Sequence, residues 1–234
     1  MKTPCRYLIM GLGLLLTPLA WAQSDSQYSL GAKLDFATWG GDNPAGGKSF
    51  EAGSTLLGLT GQFRYQRWFA GLTLLGGDFE FTAEAPARPT RPLPAGSEPV
   101  TIKRSEVDLV LGYQFWRRVG LFLDLKSVGN EWLSDGYTVN YLGLGLGVNG
   151  HLPLSPAWTL FGNVGIVPMR IEAEGEKVGN AGRGALNVGL LYRTGSRMGF
   201  SIGLQAQSQT NAYDDGTEQT HVLGALRVGV NGSF

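Results

Sequence analysis

Cysteine is nearly missing from this chain. Its 234 residues hold only Cys5, which excludes a disulfide framework and any thiolate metal site. Two histidines, His151 and His221, are too few for a multi-histidine zinc site. Charge is sparse, at 16% of residues, and balanced, with 19 basic against 19 acidic side chains. A nucleic-acid binder needs a basic face to meet phosphates, so no nucleic-acid partner is expected. No apolar run reaches the ~20 residues that a membrane-spanning helix requires. The chain is still 43% apolar, too much for a disordered protein. Glycine is abundant, at 36 residues.

The first residues read as an address. Lys2 and Arg6 precede the uncharged run Leu8 to Leu16, Pro18 breaks it, and Ala20-Trp21-Ala22 offers an A-x-A cleavage site. This is the pattern of a secretory signal peptide over 1–22, followed by one domain over 23–234. Cys5 precedes the apolar run, so a lipoprotein signal does not fit. Cleavage would leave 17 basic against 19 acidic residues, because Lys2 and Arg6 depart.

The rest of the chain alternates with period two. Leu142, Leu144, Leu146 and Val148 share one face, and Gly143, Gly145, Gly147 and Asn149 the other. Tyr28, Leu30, Ala32, Leu34 and Phe36 oppose Ser29, Gly31, Lys33 and Asp35. Such alternation marks strands with one apolar and one polar face. Ten segments show it, near 27–39, 54–66, 68–82, 101–115, 119–128, 137–150, 157–172, 184–194, 198–210 and 219–234. Gly76-Gly77 and Pro168 suggest a bulge or phase change in the third and seventh. If either is misread, the count becomes eight or twelve. Short connections alternate with longer ones near 40–53, 83–100, 129–136, 173–183 and 211–218. The expected fold is all-β: an up-and-down antiparallel transmembrane β-barrel of about ten strands.

Three features direct the apolar face outward. Aromatics gather at strand ends. Beside the short turns stand Tyr65, Trp68, Tyr113, Trp116, Trp158 and Tyr192, which with Phe234 form a candidate girdle. Phe36, Trp39, Phe79, Phe81, Trp132, Tyr137 and Tyr213 beside the longer loops suggest a second girdle. Glycine prefers the polar face, as a crowded lumen requires. The last strand ends at Phe234 and shares its face with Gly232, Val230, Val228 and Leu226. This ending resembles that of bacterial outer-membrane β-barrels, although Gly232 stands where that class usually has an aromatic. The resemblance covers residues 23–234 and identifies no single family. It implies export to a bacterial outer membrane, contact with outer-membrane lipid, and recognition of the C-terminal strand by the barrel-assembly machinery.

Lumen-lining positions are then Lys33, Asp35, Arg64, Arg104, Glu106, Asp108, Asp124, Lys126, Arg193 and Arg227. Buried charges must be paired or wetted. They make either a cross-lumen ion-pair network or a narrow polar passage, and ten strands lie near the size that side chains fill. Most acids fall in or beside the longer loops, which suggests an acidic outer mouth. The proline-rich stretch 83–100 is expected to be extended.

Catalytic signatures are missing. There is no G-x-S-x-G, H-E-x-x-H or phosphate loop, and no cofactor or metal is implied. His221 near Asp214, Asp215 and Glu218 has a distant similarity to the rim of the ten-stranded omptin proteases. A matching second pair of strands is missing, and no residue is carried across. Asp78 and Glu80 would have to face His221 for such a site. The expected function is therefore a non-catalytic envelope component, with or without a narrow pore. The alternatives are a rim enzyme acting on lipid or peptide, and a secreted soluble binder.

Overall fold

The computed structural model describes residues 26–44, 47–91, 99–195 and 197–234. The expected signal peptide at 1–22 lies outside them. Ten strands run in sequence order: β1 (Ser26–Asp42), β2 (Ser49–Tyr65), β3 (Trp68–Phe81), β4 (Val100–Tyr113), β5 (Val119–Trp132), β6 (Tyr137–Pro153), β7 (Trp158–Ala173), β8 (Glu176–Thr194), β9 (Met198–Tyr213) and β10 (Glu218–Ser233). Each pairs antiparallel with its sequence neighbours, and β1 pairs with β10 to close the barrel. The seam is sealed where Phe234 N–H donates to the Tyr28 carbonyl at 2.9 Å, and Tyr28 N–H donates back at 3.3 Å. Closure leaves no free sheet edge around most of the circumference, which is what a barrel in hydrocarbon requires.

Alternation sorts the side chains. Leu142, Leu144 and Leu146 on β6 are exposed, while Gly143, Gly145 and Gly147 between them are buried. On β5 Leu121, Leu123 and Leu125 are likewise exposed, with Asp124 and Lys126 buried and Phe122 half-buried between them. The outer wall thus carries a continuous belt of leucine, valine and isoleucine from every strand. Inward glycines let the walls and rings pack closely. A Cβ on Gly112, Gly147 or Gly189 would collide with the rings of Phe69, Phe122 and Phe161.

Several strands are longer than the sequence pattern predicts, mostly at the long-loop end, while β6 runs three residues further at the short-turn end. β8 begins at Glu176, so the stretch 173–183 is a two-residue turn, Glu174-Gly175, between strands. Both turn residues have positive φ, 53° and 89°. Likewise β2 begins at Ser49, β5 runs to Trp132 and β9 to Tyr213. Of the five long connections expected, only 82–99 is long. The long-loop ends of the strands carry a polar outer face with Glu51, Asp78, Glu80, Lys103 and Glu131 exposed, above the apolar belt.

The expected irregularities resolve differently. β3 keeps its phase through Gly76-Gly77, but its ladder with β2 ends at Leu57–Gly76, while the ladder with β4 continues to Phe81–Val100. β7 keeps its register with β6 across Pro168, which lacks the N–H to bond there. Among the described pairings the register shift lies at Ile171/Glu172 between β7 and β8.

Candidate functional site

The lumen is layered, and each layer has its own chemistry. At the long-loop end the expected second girdle turns inward. Trp39, Phe79, Phe81, Trp132, Tyr137 and Tyr213 are all buried, joined by Phe50, Ile102 and Ile171. Trp39 is central: its ring meets Phe79 at 5.2 Å, Phe81 at 5.5 Å and Phe50 at 6.3 Å, all edge-to-face. These positions share the parity of the polar face, so an aromatic plug, not a lipid-facing ring, occupies this end. Of the expected upper girdle only Phe36 faces outward, at 50% exposure.

The segment 82–91 lies over this plug. Arg88 is buried between the rings of Trp132 and Tyr137, at 5.4 and 4.7 Å from their centroids. Its two terminal nitrogens donate to the Asp135 carboxylate at 2.8 and 2.9 Å. Arg91 joins the same carboxylate at 3.0 Å. On the opposite side Asn43 donates to the Ala85 carbonyl at 3.0 Å and accepts from Ala87 N–H at 2.7 Å. The segment is a strap tied from the β1–β2 connection to the β5–β6 turn, rather than a free extended loop.

Beneath the plug lies a polar layer built around His221. The Trp39 indole N–H donates to His221 Nδ1 at 3.0 Å, and His221 Nε2 sits 3.0 Å from the Asn211 amide. An indole only donates, so Nδ1 is unprotonated and the ring is neutral. Asn211 donates to the Tyr141 and Tyr213 hydroxyls, each at 3.2 Å. Tyr213 donates to Gln219 at 2.9 Å, and Gln219 donates to Asn43 at 2.9 Å. One chain of hydrogen bonds therefore runs from Asn211, beside the histidine, to the strap. His221 is not a rim residue, as its place near Asp214 and Glu218 suggested. It is buried inside, whereas Asp78 and Glu80 point outside, so these groups never meet.

The lumen-lining set spreads over two further levels. Arg104 donates to Glu106 from Nε at 2.8 Å and Nη2 at 2.6 Å, to Asn130 at 3.2 Å, and stacks 5.1 Å over Trp39. Arg227 grips Asp35 with two bonds of 2.7 and 2.6 Å and also donates to Gln205. Lys33 lies 3.9 Å from Asp35, and Lys126 pairs with Asp108. Asp124 is buried on the same wall of β5. Arg64 and Arg193 are apart from this network. They lie at the exposed short-turn end, where Arg64 donates to Gln114. Below the ion pairs Phe69, Phe122 and Phe161 narrow the lumen, and the lining there is half-exposed.

Arg183, Gln209, Asn211 and Gln219 are missing from the predicted lining. Arg183 sits in Gly179-Asn180-Ala181-Gly182-Arg183-Gly184, which reads as loop by composition. Extending the alternation of Asn187 and Ala185 backward by two would have placed it inward. The candidate girdle residues Tyr65, Trp68, Tyr113, Trp116, Trp158, Tyr192 and Phe234 all lie exposed around the short-turn end. Trp68 packs on Tyr113 and Trp158 on Tyr192, at 5.0 and 4.8 Å. Among the described residues no three His, Cys, Asp or Glu side chains come together as metal ligands.

No protein-family model and no curated protein matches the chain. The structure is similar to that of the outer membrane protease OmpT from Escherichia coli, with 10% identity and a TM-score of 0.51, over 91% of this chain and 98% of that one. An outer membrane channel from Pseudomonas putida F1 is 12% identical with a TM-score of 0.46, over 90% and 96% of the two chains. The beta domain of the Bordetella autotransporter BrkA is 13% identical with a TM-score of 0.42, over 90% and 100%. Such identities speak for the fold and for nothing finer. The chain folds as a bacterial outer-membrane β-barrel.

Proposed function

We propose that this protein is a non-catalytic component of a bacterial outer membrane, a barrel whose lumen is filled rather than open. The observation that carries the reading is the pairing of a leucine-rich outer belt with a stacked, side-chain-filled interior. An exposed apolar surface of that extent has no stable place in water, and lipid is its natural solvent. Export through a cleaved signal peptide at 1–22, and assembly through the strand ending at Phe234, belong to the same reading. The ring of tyrosines and tryptophans at the short-turn end then marks the periplasmic interface, where such rings meet head groups.

The interior supports a sealed resting state. Strap, aromatic plug and ion-pair layer stand in series, and the cavity beneath Trp39 is only about 10 Å³, room for about one water. Among the described loop-end acids Glu51, Asp78, Glu80 and Glu131 stand on the outer wall, Asp135 pairs with Arg88 and Glu84 with Lys48, which speaks against an open acidic mouth. A catalytic role for His221 finds little support, since the ring is buried and its Nδ1 accepts from the Trp39 indole.

The test combines fractionation with electrophysiology. The protein should sediment with outer membranes and change gel mobility on boiling. Reconstituted in planar bilayers, it should show no steady current. Recovery in the soluble fraction would end the membrane reading, and a stable open conductance would end the sealed one.

A further inference from the structure

The polar layer contains one cation that its neighbours do not neutralise. Arg183 on β8 is 4% exposed and faces the cavity beneath Trp39. Its Nε donates to Gln209 at 3.0 Å. Its nearest carboxylate oxygen, Glu106 Oε1, is 3.9 Å from Nη2. That same oxygen already accepts two bonds from Arg104. Arg183 Nη1 has no hydrogen-bond partner at all.

The other charges around it are committed, Asp124 to a hydrogen bond with Asp108. Asp35 is held by Arg227, and Asp108 by Lys126. His221, across the cavity, is neutral because Nδ1 accepts from an indole. The charged groups lining the cavity are thus two guanidiniums, with the Glu106 carboxylate beside them. An unbalanced charge in a water-poor interior is costly unless a counter-charge reaches it.

The cavity is built to take something small. It is lined by Arg183, Arg104, Asn130, Gln207, Gln209 and His221, among others, and is about 10 Å³ in volume. Gln207 also lines it and is buried, and its side-chain carbonyl is unpartnered. A half-turn of that amide would present an N–H donor to the same space. The Arg183 guanidinium, and the Gln207 amide once turned, can direct N–H groups into a space too small for an oxyanion, which describes a site for a monatomic anion.

We propose that the cavity binds one halide ion, held by Arg183 Nη1 and the Gln207 amide, as the counter-ion that completes the polar layer. The ion locks the β8 and β9 walls beneath the plug and has no part in transport.

The test uses the full barrel in neutral detergent, in chloride, bromide or gluconate at one ionic strength. Gluconate is too large for the cavity. The urea midpoint should be higher in the halides and rise with the logarithm of halide concentration, as linkage requires of a ligand bound only by the folded state. Crystals grown in bromide should show an anomalous peak within hydrogen-bonding distance of Arg183 Nη1. Arg183→Gln should abolish both signals. Should that variant not fold, Gln207→Glu gives a second reading, because its carboxylate takes the ion's place and makes the midpoint independent of halide. Coincident wild-type midpoints in halide and gluconate, with no peak, mean that water alone fills the cavity and overturn the proposal. A bromide peak without any stability difference means an adventitious ion only, and also overturns it.

Discussion

Leu144 and Gly145 are neighbours in β6 and face opposite media. Leu144 is 59% exposed on the outer belt, whereas a Cβ on Gly145 would collide with the Ile166 carbonyl and with Val167. Their replacements therefore fail for different reasons. Leu144→Arg places a charge at mid-depth on the lipid face, at a cost of roughly 2–4 kcal/mol. It should lower the yield of heat-modifiable barrel refolded into vesicles, while leaving refolding in a short-chain detergent nearly intact. Gly145→Leu overpacks the lumen and should depress both yields alike. Equal behaviour of the two variants in vesicles and detergent would invert the assignment of faces. Residue chemistry of this kind is what the sequence displays best. Lys33, Asp35, Glu106 and Lys126 are inward because each sits one position from an outward leucine, valine or alanine, and period two does the rest.

Elements are legible in number and only partly in extent. Alternation reveals all ten strands because lipid-facing positions must be apolar along the belt. Above the belt that pressure ends: Glu51 and Glu131 face water, and composition no longer separates strand from loop. For the same reason Trp39, Phe79, Phe81 and Tyr137 pass for a girdle, since an aromatic near a strand end fits either face until parity is followed through it. The strap is invisible to pattern altogether, because its docking depends on Asn43, Asp135 and Tyr137, remote in sequence from Arg88. Its stability should depend on pH. The hydrogen bond from Arg88, helped by Tyr137 N–H and by the charges of Arg88 and Arg91, holds the Asp135 carboxyl below the usual carboxylate range. A group whose pKa is depressed in the docked state favours docking above its free pKa, about 4, and this contribution is lost as pH falls through the depressed value. Hydrogen exchange at Ala87, whose N–H bonds Asn43, should therefore run well below its intrinsic rate at neutral pH, and the protection factor should fall towards one in acid. Asp135→Asn should lose that protection at neutral pH and flatten the profile. A wild-type profile that already tracks the intrinsic rate would show that Asp135 does not hold the strap.

The whole molecule closes itself three times along one axis, and the closures differ in how they respond to water. The ion-pair layer of Arg104, Glu106, Arg227 and Asp35 is wettable, and its side chains can exchange protein partners for solvent. The aromatic plug cannot, so it is the hydrophobic barrier of the barrel, and Arg88 in the strap stacks over it. Phe79→Ala with Phe81→Ala removes two rings that rest on Trp39, at about 3–5 kcal/mol for each truncation. That pair alone should lower the boiling-shift temperature yet conduct no current, because Arg88 still bridges Trp132 and Tyr137 to Asp135. Adding Arg88→Ala removes the remaining cover and lets water meet the ion-pair layer from both ends. Single-channel recording of the triple variant should then show brief, small conductance steps that neither the double variant nor Arg88→Ala shows alone. A silent triple variant that still runs as a folded barrel on unboiled gels would move the seal to the ion-pair layer, and opening would then require cutting Arg227 from Asp35.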